Sequence, residues 1–521
     1  MKLLKDNFQL EDDQLDSARQ LVTKRRALMV ESTGSGKTPC VLYSFAYLYS
    51  KGLAKRLVVF APRNAHEKEV WKPQIERFTN FRCVDFESVE KWVGSGRSVA
   101  SSLEGYQIIY AKHTSLRNNP KLCAALCHSE PKTVVVVDEV HAFRGQRTGL
   151  SASASMVLSK VYSLWGITAT DYSVSPLDIY GIVNFVYPNK LGSQKEFVAN
   201  YCNWEEKIIG RYSNGNFKKV RNITGVRSSE LLRETLKDML VVGVRVPEAK
   251  IHFINYELNR EESELYARVA NGFTLLPRAE EESWIRAILS QEVKERGEVR
   301  TIKDIDKHSS RYVYLQSVVD GALNQDGTFG LSSGSKSKKF LDFVRGYAQR
   351  NESLLMYFDY YVSMDNFRAQ VERAGLKDGL GRPVIIIETS GRVKQKPGFL
   401  TSAMVKNRTY LILCSKASSE SENYPFIRHV VFYDVPTTPV VYLQMSGRIT
   451  RRNTEFPGDL HVWLPMADNI DRYKLTRIGY KIYEMQPMCY DLTKIFPTEY
   501  IQPLEQSRQL EVAKRILLWR K

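Results

Sequence analysis

The chain has 521 residues, 43% of them hydrophobic, and a net charge of +17 from 75 Lys and Arg against 58 Asp and Glu. That length exceeds one ordinary core and predicts about three domains, and that composition excludes a chain dominated by disorder. The positive excess favours a polyanionic partner, nucleic acid above all, with a basic surface kept for solubility as the plainer alternative.

In chain order, the opening segment MKLLKDNFQLEDDQ is too acidic for a signal peptide. No apolar run anywhere approaches the ~18–20 residues that span a bilayer. Ala27–Val30 reads as a strand, followed by Glu31-Ser-Thr-Gly34-Ser35-Gly36-Lys37-Thr38 and a helix from Pro39 to Lys51. Pro39 suits a first helical turn and Gly52 a helix end. The glycines let backbone N–H groups turn toward a phosphate, and the helix start adds its positive end. Lys37 is placed to reach the β- and γ-phosphates of ATP, and the Thr38 hydroxyl to bind Mg²⁺. Glu31 stands where the general pattern has glycine.

Arg56–Pro62, Tyr106–Ala111, Lys132–Glu139 and Ser163–Thr170 read as buried strands, and their β-branched runs suit a parallel sheet covered on both faces. Cys123, Cys127 and His128 share one helical stretch, KLCAALCH. With no second Cys/His cluster they read as core thiols rather than a zinc site. Seven cysteines in so long a chain predict a reduced, intracellular protein. The Val134–Val137 run delivers Asp138 and Glu139 at a strand end, about a hundred residues after Lys37. Asp138 is placed to hold Mg²⁺ through water and Glu139 to orient or activate the attacking water.

From Glu257 to Leu323 the sequence turns charged and helical, and Asn324–Lys339 is Gly/Ser-rich, a linker or loop. Strands then return at Ser353–Phe358, Pro383–Glu388, Thr409–Ser415, His429–Asp434 and Asp459–Leu464. The pattern is α/β: two doubly wound parallel-sheet lobes with a helical insertion and a helical C-terminal segment. The expected bounds are a first, ATP-binding lobe over 1–256, the insertion and linker over 257–335, a second lobe over 336–480 and a helical extension over 481–521. QMSGRITRR carries Gln444, Gly447, Arg448, Arg451 and Arg452. Arg448 and Arg451, at i and i+3, can share a helical face and neutralise the charge of a phosphoryl-transfer transition state. Direct contact of such arginines with nucleic-acid phosphates is the alternative.

In order, GSGKT, APRN, DEVH, TAT and QxxGRxxR resemble the motifs of superfamily 2 helicases. The likeness runs from about Gln14 to about Asn453 and is nearest to the Swi/Snf branch of double-strand DNA translocases, a compact and even viral member. That branch usually has an acidic pair before its loop, which accounts for Glu31. DIYGIVNFVYPNKLGSQKEFVANYC and LRETLKDMLVVGVRVPEAK are similar to its later segments. The resemblance implies RecA-like lobes, ATP and Mg²⁺ as cofactors, and translocation on duplex or branched DNA with little sequence preference. Fork or junction remodelling, or displacement of bound proteins, would be the task.

By position, the resemblance makes Gln14 the residue that reads adenine, with Gly34, Ser35 and Gly36 completing the loop. It makes Thr168, Thr170 and Gln444 coupling residues, and Arg63, Lys112, His113, Thr114 and Ser415 contacts to the DNA backbone. Ser418, Ser419 and Ser421 stand where the family has glycines. A monomer in the cytoplasm or at a nucleoid, in a host cell if viral, is expected. The rival readings are an RNA-dependent ATPase or helicase and a nucleotide-gated scaffold.

Overall fold

A computed structural model describes residues 3–6, 8–62, 71–130, 132–145, 148–169, 176–211, 217–227, 229–243, 247–270, 313, 315–321, 333–393, 400–415, 424–485 and 496–500. Two compact units divide the chain, one formed mainly by Met1–Val246 and the other mainly by Pro247–Tyr483.

The first unit contains β1 (Arg26–Val30), β2 (Arg56–Ala61), β3 (Cys83–Asp85), β4 (Ile108–Lys112), β5 (Thr133–Asp138), β6 (Ser163–Thr168), β7 (Cys202–Arg211), β8 (Phe217–Val226) and β9 (Leu240–Val241). Seven of them form one sheet in the order β3-β4-β2-β5-β6-β1-β9, with every pairing parallel. Parallel neighbours need crossovers, and helices such as Lys37–Ser50 supply them. Burial follows: Val134 to Val137 of β5 and all six residues of β6 are inside. Cys123 and Cys127 lie buried on the helix Pro120–His128. Burial pushes the Cys123 thiol up to about 12 and Cys127 well above its usual value, as expected of core thiols.

The second unit contains β10 (Lys250–Asn255), β11 (Leu354–Tyr357), β12 (Ile385–Thr389), β13 (Tyr410–Cys414), β14 (His429–Phe432) and β15 (His461–Met466), in the order β10-β15-β14-β11-β13-β12, again all parallel. The five strands expected after residue 350 are present. The expected end of the first lobe at 256 is not. Lys250–Asn255 pairs with His461–Met466 along its whole length, so the second unit begins earlier. The helix Arg260–Ala270, placed in an insertion by its charge pattern, packs Leu265, Tyr266 and Val269 into a core with Leu315, Val318, Val319 and Ile470 of this same unit. The Gly/Ser-rich stretch ends sooner than expected, because Ser335–Gln349 is already helix.

That helix brings Lys336 into the interior. Its Nζ lies 2.9 Å from Asp320, 3.0 Å from Asp471 and 3.4 Å from Asp434, with all four side chains fully buried. Gln316, Ser363 and the Tyr256 hydroxyl complete the network. Burial opposes the Lys336 charge, but the three carboxylates outweigh it and raise the ammonium pKa. Removing the cation leaves buried carboxylates uncompensated. Lys336→Met is therefore expected to cost about 3–5 kcal/mol, read as a lower urea midpoint for the second unit.

Candidate nucleotide site

Strand register in the first unit lines up the chemistry. Val30 at the end of β1 pairs with Thr168 at the end of β6, and Ile167 pairs with Asp138 at the end of β5. Three neighbouring strand ends, about 4.8 Å apart each, thus bring the glycine-rich loop, Thr168 and the acidic turn together. This is the carboxyl edge of a doubly wound sheet, where such folds bind ligands.

Loop 31–36 follows β1, and the helix starts at Lys37. Gly34 and Gly36 have φ of +81° and +92°, the left-handed region that suits glycine. Glu31 is buried. Its carboxylate accepts from the Ser17 hydroxyl at 2.6 Å and from Ser35 at 3.4 Å, so it braces the loop from inside. Lys37 Nζ donates to the carbonyls of Glu31 and Ser32, both at 2.9 Å. The Gln14 amide donates to the Ser35 carbonyl at 2.8 Å, which ties the helix Asp12–Thr23 to the loop.

A side chain at 36 is strained there: φ is +92°, and its Cβ would fall 2.2 Å from Gln14 Nε2, so that amide must give up its place on the loop. Gly36→Ala is expected to weaken ATP affinity at least about tenfold, since strain of ~1–3 kcal/mol falls on the loop itself. Titration with a fluorescent ATP analogue measures it, and unchanged affinity would refute the steric conflict.

At the acidic turn, Asp138 Oδ1 accepts from the Glu139 N–H at 3.0 Å and Oδ2 from the Trp71 indole at 2.9 Å. Burial, with the neighbouring Glu139 charge, raises the Asp138 pKa. Burial acts on Glu139 in the same direction, but the His141 ring, 3.1 Å from its Oε2, and Lys37 outweigh it and hold that carboxylate ionised. Glu139 has φ of +49°, which turns its side chain out of the strand direction. Its Oε2 is buried without an aligned donor.

His141 Nδ1 also lies 3.1 Å from the Thr168 hydroxyl, and the Thr168 carbonyl accepts from Glu31 N–H at 3.2 Å. Thr168 therefore joins the acidic turn to the glycine loop. His113 is buried, with Nε2 2.7 Å from the Asp138 carbonyl and its ring edge-on to Phe143. Burial lowers its pKa to about 4, so it is neutral. Its ring points into the site's support. Lys112 pairs with Glu87 at 3.1 Å, and Thr114 sits in the turn that follows. Arg63 and Thr170 lie outside the described residues.

The donor set suits a hard cation. Thr38 offers a hydroxyl at the helix start and Asp138 a carboxylate with lone pairs left over, the ligand types Mg²⁺ prefers. Glu139 Oε2 can accept from a water molecule.

Two residues here carry no sequence signal for their roles. Trp71 opens the helix Trp71–Phe78 and is 2% exposed. Its bond to Asp138 is a long-range contact that no spacing foretells. His141 is readable as part of DEVH but not as the link to Thr168. Trp71→Phe is expected to slow ATP hydrolysis roughly tenfold, the cost of one hydrogen bond to a charged group. The intrinsic fluorescence response to nucleotide should fall with it.

In the second unit, Gln444 is buried on the helix Pro439–Ser446. The arginines do not share a helical face, as their spacing predicts. The helix stops at Ser446 and the chain continues from Gly447 in turns, with Arg451 N–H bonded to the Ile449 carbonyl at 2.8 Å. Arg448 is 3% exposed. Burial and the Arg448 charge lower the Arg451 pKa to about 9, which leaves it a cation at neutral pH. Arg451 Nε is buried without an acceptor. Ser415 is buried at the end of β13, with its hydroxyl 3.3 Å from Tyr361 OH. Ser418, Ser419 and Ser421 lie outside the described residues.

Two known families match the sequence. The SNF2-related domain matches residues 14–312, more than half the chain, and the helicase conserved C-terminal domain matches 336–453. The chain belongs to the SNF2-related family. Like the family, it is an ATP-hydrolysing enzyme of the helicase and translocase class. It is similar to the uncharacterized ATP-dependent helicase YqhH of Bacillus subtilis, with 18% identity over 510 residues, 95% of this chain and 82% of that protein. Among solved structures it is similar to the Sulfolobus solfataricus SWI2/SNF2 ATPase core in complex with dsDNA, at 15% identity and a TM-score of 0.37, covering 98% of this chain and 97% of that one.

Proposed function

We propose that this SNF2-related chain is a DNA translocase, which uses ATP hydrolysis to move along duplex or branched DNA and so remodels forks or junctions or displaces bound proteins. The observation that carries it is the register of β1, β6 and β5, which gathers Lys37, Thr168, Asp138 and Glu139 at one sheet edge. Hydrolysis there needs positioning and charge stabilisation rather than covalent protein chemistry.

ATP phosphates take the place of the Glu31 and Ser32 carbonyls as partners of Lys37, and the loop N–H groups cradle them. Thr38 and Asp138 would hold Mg²⁺, which when bound neutralises phosphate charge. Glu139 accepts a proton from the attacking water and His141 keeps it ionised. Arg448 and Arg451 supply the positive charge of the second lobe. Thr168 and Gln444 act as coupling residues. The net charge of +17 supports a polyanionic track, and contacts to its phosphates position without reading sequence. The chain acts as a monomer inside the cell.

The test is the ATPase rate of the full chain with linear duplex, forked, four-way and single-stranded DNA and with RNA. Stimulation of about tenfold or more by duplex or branched DNA, falling steeply with salt, is expected. Stimulation by RNA alone overturns the reading in favour of an RNA-dependent ATPase.

A further inference from the structure

The first unit carries an element that its ATPase does not use. β7 and β8 form a two-stranded antiparallel sheet of their own, ten residues a strand, joined to neither large sheet. Cys202 and Gly225 at its base are buried. Asn203, Trp204, Glu205, Glu206, Phe217 and Arg221 further out are exposed. The base is anchored to the unit, with Arg227 N–H bonded to the Tyr201 carbonyl at 2.7 Å, and the exposed residues further out are open to an outside partner.

The two strands hold Lys207, Arg211, Lys218, Lys219 and Arg221, five basic residues against Glu205 and Glu206. Register puts Trp204 opposite Ile223 and Glu206 opposite Arg221, so Trp204 and Arg221 lie on one face as diagonal neighbours. On that face the Arg221 guanidinium stacks over the Trp204 ring at 4.2 Å, and Trp204 remains 39% exposed. A stacked guanidinium is held flat and loses little freedom on meeting a phosphate. An exposed aromatic plane carrying a stacked guanidinium, on strands that are basic in sequence, suits a nucleic-acid backbone. A two-stranded ribbon is also narrow enough for the major groove.

We infer that the β7–β8 hairpin, whose strands are basic in sequence, is a second DNA-contacting element, which grips the track through Trp204 and Arg221, apart from the nucleotide site. This role rests on the DNA translocase reading and adds a contact that no motif of the ATPase supplies.

Two variants of the full chain test it: Trp204→Ala, and a charge reversal of Lys218, Lys219 and Arg221 to Glu. Duplex affinity is followed by anisotropy of a labelled DNA of about 30 base pairs, roughly three helical turns, across a salt series. ATPase is followed with and without that DNA. DNA-free ATPase should stay within about twofold. The charge reversal should weaken duplex binding at least about tenfold and flatten the log–log salt slope by ~2–3, at about 0.9 for each phosphate no longer neutralised. Trp204→Ala should weaken binding about fivefold or more, because it removes the ring that holds the Arg221 guanidinium flat for a phosphate. Trp204 is exposed, so its replacement tests the contact even if the triple variant folds poorly. Duplex binding at wild-type strength and slope in Trp204→Ala, or in a folded triple variant, overturns the inference. That outcome includes the case of an acidic protein partner. A wild-type chain that neither binds nor is stimulated by DNA instead overturns the translocase reading.

Discussion

Arg451→Ala is expected to lower kcat for ATP about 10³-fold or more, the usual worth of an arginine at a phosphoryl-transfer transition state. ATP affinity should change only a few-fold. Two cations sit close together after the helix Pro439–Ser446, and burial and mutual repulsion already depress Arg451 to about 9. That repulsion opposes the charge on Arg451. A polyanion that spreads charge over three oxygens would relieve it, most of all at the transition state. Arg451→Lys should recover little, because the lysine keeps the charge but not the planar fork. Steady-state ATPase with a parallel nucleotide titration separates the two effects. Normal kcat with weakened, less salt-sensitive DNA binding would reassign the pair to a DNA grip, the alternative that spacing alone leaves open.

How far the sequence reveals the molecule depends on the range of the interactions. The loop at 31–38 is legible because phosphate binding demands glycines and a lysine at set spacing, and those residues have little else to do. Glu31 is legible only as a departure; its brace on Ser17 and Ser35 needs the fold. The five strands of the second lobe are continuous apolar runs. β10 escapes because KIHFIN alternates only weakly and finds its partner more than two hundred residues on, at β15. The helix Arg260–Ala270 looks solvated because it opens on Arg260, Glu261 and Glu262, while Leu265, Tyr266 and Val269 do the packing. The hairpin β7–β8 is hidden by its basic residues, which blur the alternation of a strand. Helix length is also a tertiary matter: Arg448 and Arg451 keep the i, i+3 spacing, yet the helix ends before them.

Glu139→Gln is expected to cut ATP turnover by about 10²–10⁴-fold, the usual contribution of a positioned general base, and to leave ATP binding intact. The swap conserves shape, so the left-handed turn at φ +49° and the hydrogen bond from Glu139 N–H to Asp138 should survive. What disappears is the charge that His141 and Lys37 hold in place against burial. A neutral amide can still orient a water but takes its proton poorly. The variant should therefore trap ATP, and any DNA dependence of ATP affinity should persist while turnover stops. His141→Ala supplies the control. It removes the ring beside Glu139 Oε2 and the link to Thr168 together, so turnover should fall by less than in Glu139→Gln. Wild-type hydrolysis by Glu139→Gln would move the base elsewhere and undo the assignment of the acidic turn.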